Sequence, residues 1–362
     1  MNQQTNERKK VMGFVCPLLY SFLMGLTWAQ FFKRKFINSL APAYMMHILF
    51  VMLTGILPPY RLSIGIYGGM VLTVMAACFI IFQNTRNRKI TRENVKSFLS
   101  AFLSDEGVLL FLAFYVFFYL INFYKHFLEW DEFMHWGMFL KENLRLDRPY
   151  CTSQLSFAHK DYVPAISLFE TIWCRLSGGF SEPDAYRAVQ VFMFSLLMPM
   201  FEKVISHANT IFEESSCERK LQQILKSLLF RFSAVLLVLI IPLVFNTKDC
   251  FRFYHTIYCD IAVGIVFYWC LFEVVRDCDD ICYQMMILVI GCSTLVLAKM
   301  ISMALLPLVS GLYFLRLVFF SEKKSSLFRI FISTVTITGI PTLLWASYSA
   351  YVSKWVTKVG NI

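Results

Sequence analysis

The chain has 362 residues, of which 57% are hydrophobic, 17% aromatic and only 16% charged. Soluble domains carry about 25% charged residues, so this composition excludes an ordinary water-soluble enzyme. Its apolar mass excludes low-complexity disorder, and a net charge of +10 fits basic cytoplasmic loops better than nucleic-acid binding.

A bilayer core takes about 20 apolar residues per helix. In chain order the sequence predicts spans over 11–32, 38–57, 62–82, 98–123, 186–203, 230–246, 259–274, 282–298, 302–320 and 329–350. The expected fold is all-α, a polytopic transmembrane helix bundle of about ten spans. Arg8-Lys9-Lys10 before the first apolar run resembles a signal peptide. The length of that run and Lys33-Arg34-Lys35 behind it point instead to an uncleaved span or a hairpin. Segment 164–180 carries Glu170 and Arg175 and reads as an interfacial or re-entrant helix. Three blocks follow: N-terminal transmembrane helices over 1–123, a first large external loop with interfacial helices over 124–185, and the remaining transmembrane helices over 186–362. The 11 cysteines are scattered, with no pair of CxxC elements, which argues against a zinc ribbon or a disulfide framework.

Loop charge sets the expected orientation. Arg86, Arg88, Lys89, Arg92 and Lys96, then Arg219, Lys220 and Lys226, then Lys323 and Lys324 all belong in the cytoplasm. That threading leaves 124–163, 247–258, the turn at Lys299 and the tail after Tyr351 outside, together with Arg8, Lys9 and Lys10. The unusual polar residues therefore converge on one face of a multi-pass protein of the cell membrane.

Within Trp130-Asp131-Glu132-Phe133-Met134-His135-Trp136-Gly137, helical spacing puts Asp131 and His135 on one face. Glu132 points a quarter-turn away, beside Trp136 and Phe139, and Lys141 follows. Two adjacent carboxyl groups at a membrane surface can act as a general base or hold a divalent cation through oxygen. They can equally be the solvated acids of an amphipathic helix. His159 and Asp161 precede Pro164, ordinary punctuation for a helix start. They face the same compartment, so a Mg or Mn site built from Asp131, Glu132 and His159 is one option. Arg252 and His255 lie in the loop before Asp260, and Arg252 with Lys248 suits phosphate oxygens. Lys299, between two apolar runs, needs either Asp260 or an anion. His47, mid-span, reads as a satisfied packing group. No P-loop, GxGxxG, HExxH or GxSxG element occurs.

On WDEFMHWG (130–137) with Lys141, DYVP (161–164), YCD (258–260) and Lys299, the chain resembles the GT-C superfamily of integral-membrane glycosyltransferases. Val163 and Ala165 stand where related sequences tend to carry Pro and Gly in a Tyr-Pro-Pro-Gly-like element. The resemblance implies a GT-C-like helix arrangement and transfer of a sugar, with inversion, from a polyprenyl-phosphate-linked donor. The acceptor is a glycan or protein outside the cytoplasm. It makes Asp131 the base and Glu132 its alternate or metal partner. Lys299, Arg252 and His255 would receive phosphate, and His135, Lys141, His159, Asp161 and Asp260 would contact substrate. Rival readings are a polysaccharide polymerase or ligase, a transporter or flippase, and a non-catalytic cell-envelope assembly protein.

Overall fold

Long apolar runs fold as helices because a helix satisfies every backbone group within its own segment, which a lipid interior demands. In a computed structural model of the chain, the described residues are 3–86, 105–213, 256–276, 280–320 and 327–359, with four isolated positions between 229 and 236. The protein is all-α, with no strand among the described residues. The helices are α1 (Gln3–Phe32), α2 (Leu40–Ile56), α3 (Leu62–Arg86), α4 (Glu106–Ile121), α5 (Gly137–Leu146) and α6 (Ala165–Leu176). They continue with α7 (Glu182–Glu213), α8 (Cys259–Val275), α9 (Ile281–Val296), α10 (Leu306–Phe319) and α11 (Leu327–Val359). Several starts are written in the sequence. Asp105 accepts from the Val108 N–H at 3.0 Å and Asp280 from the Tyr283 N–H at 3.0 Å, capping α4 and α9.

Five of these segments are long and apolar enough to cross a membrane: Val11–Phe31, Phe36–Ile56, Leu62–Gln83, Met300–Phe319 and Leu327–Val356. On length and composition the chain is a membrane protein, with five such helices among the described residues rather than ten. The helices α4 and α9 are apolar but have only 16 residues each. That is about 24 Å at 1.5 Å per residue, against a core of about 30 Å. The helix α7 opens with Glu182, Asp184 and Arg187. The expected span 230–246 lies outside the described residues.

The helices run between two polar ends. At one, Glu202 of α7 receives Lys35 at 3.0 Å, Asn38 at 2.6 Å and Arg276 at 3.4 Å, and Arg34 lies 4.4 Å over the Tyr283 ring. At the other, Leu62 N–H donates to Asp147 O at 3.0 Å, Arg187 to Tyr119 O at 3.1 Å and Ala165 N–H to Leu297 O at 2.8 Å. The helix α1 is one continuous element, not a hairpin. Gly13 near its start packs against Asp184, and its last turn leads to Lys35 beside Glu202. Between the ends, polar contacts hold apolar helices together, as they must where lipid is as apolar as the partner helix. His47 does so by bonding Tyr20 at 2.8 Å and the carbonyls of Gly65 and Ile66 at 3.2 Å.

Of the two placements expected for segment 164–180, interfacial or re-entrant, α6 departs from the interfacial one. A headgroup-level helix leaves one face to solvent, whereas every residue of α6 except Arg175 is buried. Arg175 itself reaches out of the bundle to Leu144 O at 2.7 Å and to Asp147 at 3.7 Å.

Candidate functional site

The loop that follows α4 is tied down before it reaches its acidic pair. Phe127 N–H donates to Glu182 at 3.0 Å, and Asn122 donates to Gln190 at 2.6 Å. Residues Glu132–Trp136 then form a π-helical turn leading into α5, a wide turn often found at functional sites. Gly137 closes it, because a Cβ there would collide with the Phe127 ring and the Glu132 carbonyl.

This turn separates the two acids. Glu132 is fully buried. Its Oε2 accepts from the Leu128 N–H at 2.9 Å, the Glu129 N–H at 3.2 Å and the Tyr186 hydroxyl at 2.7 Å. Its Oε1 accepts from the Ile257 N–H at 3.3 Å. Glu132 therefore joins the loop to α7 and to the approach to α8, and it is not placed to reach a substrate as an alternate base. Asp131 stays 47% exposed, 3.4 Å from His135 Nδ1. The His135 ring lies 4.6 Å from that of His159, and His159 lies 4.4 Å from Tyr162. Burial pulls the His135 imidazole below its ordinary value; Asp131 opposes that shift and His159 adds to it.

The downstream residues arrive at the same end. The Tyr162 carbonyl accepts from the Tyr348 hydroxyl at 3.1 Å, fastening the His159 turn to α11. Lys299 pairs with Asp260 at the head of α8. Burial works against the Lys299 charge, but Asp260, Cys259 and Tyr162 outweigh it and raise its pKa. Tyr162, 4.4 Å from the His159 ring, is near enough to Lys299 to act on its charge, so the Asp131–His135–His159 group and the Lys299–Asp260 pair share one end. Asp161 is exposed on the same turn. Lys141 extends over the Phe180 ring at 4.9 Å. Arg252 and His255 lie outside the described residues.

Comparison with protein-family models, with curated proteins and with solved structures finds no match to this chain.

A divalent cation held by Asp131, Glu132 and His159 does not fit that geometry, because both Glu132 oxygens already face protein donors. Among the described residues, no three His, Cys, Asp or Glu side chains converge as a ligand set. Two buried carboxyl groups complete this end: Glu142, which the sequence did not mark, and Glu170, which it marked only as a charge within segment 164–180. Glu142 binds Arg145 at 2.6 Å and Ser153 at 2.5 Å, and the Arg145 hydrogen bonds hold its carboxyl below the usual range. Lys160 closes the same turn by donating to Ser153 O at 2.8 Å. Glu170 is 1% exposed, and its Oε1 has no hydrogen-bond partner. Burial, and then Glu132, push its carboxyl well above the ordinary value. A carboxyl inside a long apolar run is the signal that marks such a residue.

Proposed function

We propose that the chain is an integral-membrane glycosyltransferase of the GT-C kind, carried by about ten spans of the cell membrane. It moves a sugar from a polyprenyl-phosphate-linked donor to an acceptor hydroxyl outside the cytoplasm. What supports this reading is the convergence of Asp131, His135 and His159 with Lys299 and Asp260 at one end of an apolar helix bundle. The half-exposed Asp131 carboxyl takes the acceptor proton as the acceptor oxygen bonds to the anomeric carbon. The bond from that carbon to the carrier phosphate breaks from the opposite face, with inversion. His135 orients Asp131, and Lys299 stabilises the departing phosphate, with Asp260 holding the ammonium in place. Both halves of such a reaction need preorganised charge, and both are present. No step is routed through a metal.

The test is sugar transfer in membranes containing the wild-type chain or Asp131→Asn. Loss of a general base predicts a fall of about 10²- to 10⁴-fold, with unchanged membrane insertion. Undiminished transfer by the variant overturns the assignment. One observation favours a non-catalytic assembly protein instead, namely that Lys299 already has Asp260 as its counter-ion. On that reading Lys299→Ala lowers stability and Asp131→Asn changes nothing.

A further inference from the structure

Between the first turns of α7, the end of α4 and Gly13 of α1 lies a cavity of about 480 Å³, within the range of small-molecule sites, about 300–1,000 Å³. It is separate from the Asp131 group. Its charges are already balanced by protein partners. Arg187 meets Asp184 at 2.7 Å and lies 4.0 Å over the Tyr119 ring, and His126 Nδ1 meets Glu182 Oε2 at 3.1 Å. A free anion or cation therefore finds no uncompensated counter-charge here.

What remains open is hydrogen-bonding capacity next to flat apolar surface. Phe127 N–H and His126 both use Glu182 Oε2, leaving Oε1 for a ligand; His126 is bonded through Nδ1, leaving Nε2. Phe123 and Phe180 supply ring faces. Gly179, at φ 133°, lines the cavity and borders open space, since a Cβ there would meet nothing within 4 Å. Neutral hydroxyls flanking an apolar ring face are the chemistry of a sugar.

We propose that this cavity binds a neutral saccharide unit, with hydroxyls on Glu182 and His126 and its C–H face on Phe180 and Phe123. The proposal does not rest on the transferase reading, because the cavity lies apart from Asp131 and binds without transferring. The probes are a panel of neutral mono- and disaccharides, titrated by calorimetry against the purified full-length chain in detergent. At least one binds, about tenfold more weakly to Phe180→Ala and to His126→Ala, with melting temperatures unchanged and Asp131→Asn binding as wild type. Absence of binding across the panel, equal binding by both cavity variants, or displacement by inorganic phosphate overturns the proposal. Loss of binding in Phe180→Ala together with normal transfer by Asp131→Asn keeps the saccharide site and removes the transferase reading.

Discussion

Glu132 receives three backbone N–H groups and one tyrosine hydroxyl. Glu132→Ala orphans these donors at about 1–3 kcal/mol for a badly stranded group. The expected loss of stability is about 3 kcal/mol or more, read as a fall in melting temperature in detergent. Asp131→Asn is isosteric at a half-exposed position, so its stability stays within about 0.5 kcal/mol of wild type. Equal destabilisation by the two would erase the distinction between a structural and a chemical acid. Glu170 behaves in a third way. Its folded pKa is raised above the ordinary 4.5, so its contribution to stability is complete below that value and declines as pH rises above it. Glu170→Gln therefore flattens the decline in melting temperature as pH rises above the ordinary carboxyl value. A variant that keeps the wild-type slope contradicts this.

At the scale of elements, the π-helical turn decides where the loop chemistry points. Gly137→Ala forces the Phe127 ring or the Glu132 carbonyl to move, at a cost of about 1–3 kcal/mol. It also releases His135 from Asp131, whose charge opposes the downward shift, so that the imidazole pKa falls further below its ordinary value. Proton NMR of a His-labelled sample reads that shift, and an unchanged His135 titration counts against the turn's role. The apolar helices were legible because an uninterrupted run of about 20 residues has few other folds available to it. The helical period placed Glu132 beside Trp136 and Phe139, and all three are buried, but its bonds to Tyr186 and Ile257 were not legible because they join segments far apart in sequence. The burial of α6 was hidden for a related reason. Glu170 and Arg175 suggest a surface, yet one is enclosed without a hydrogen bond and the other is spent on Leu144 and Asp147. The pairing of Lys299 with Asp260, 39 residues apart, was readable only as one of two alternatives.

At the scale of the molecule, the account depends on two chemically different ends. One gathers Lys35, Glu202 and Arg276; the other gathers Asp131, His159, Asp161, Asp260 and Lys299. On the proposed orientation the basic loops put the first in the cytoplasm and the second outside, where the proposed transfer takes place. Sidedness of single cysteines, placed in a cysteine-free background and probed in intact cells with a membrane-impermeant thiol reagent, tests this most directly. Asp161→Cys and Asp260→Cys are both modified from outside, and Lys35→Cys reacts only after permeabilisation. Labelling of Asp161→Cys and Asp260→Cys from opposite sides would place the base and the phosphate-binding pair in different compartments and contradict the account.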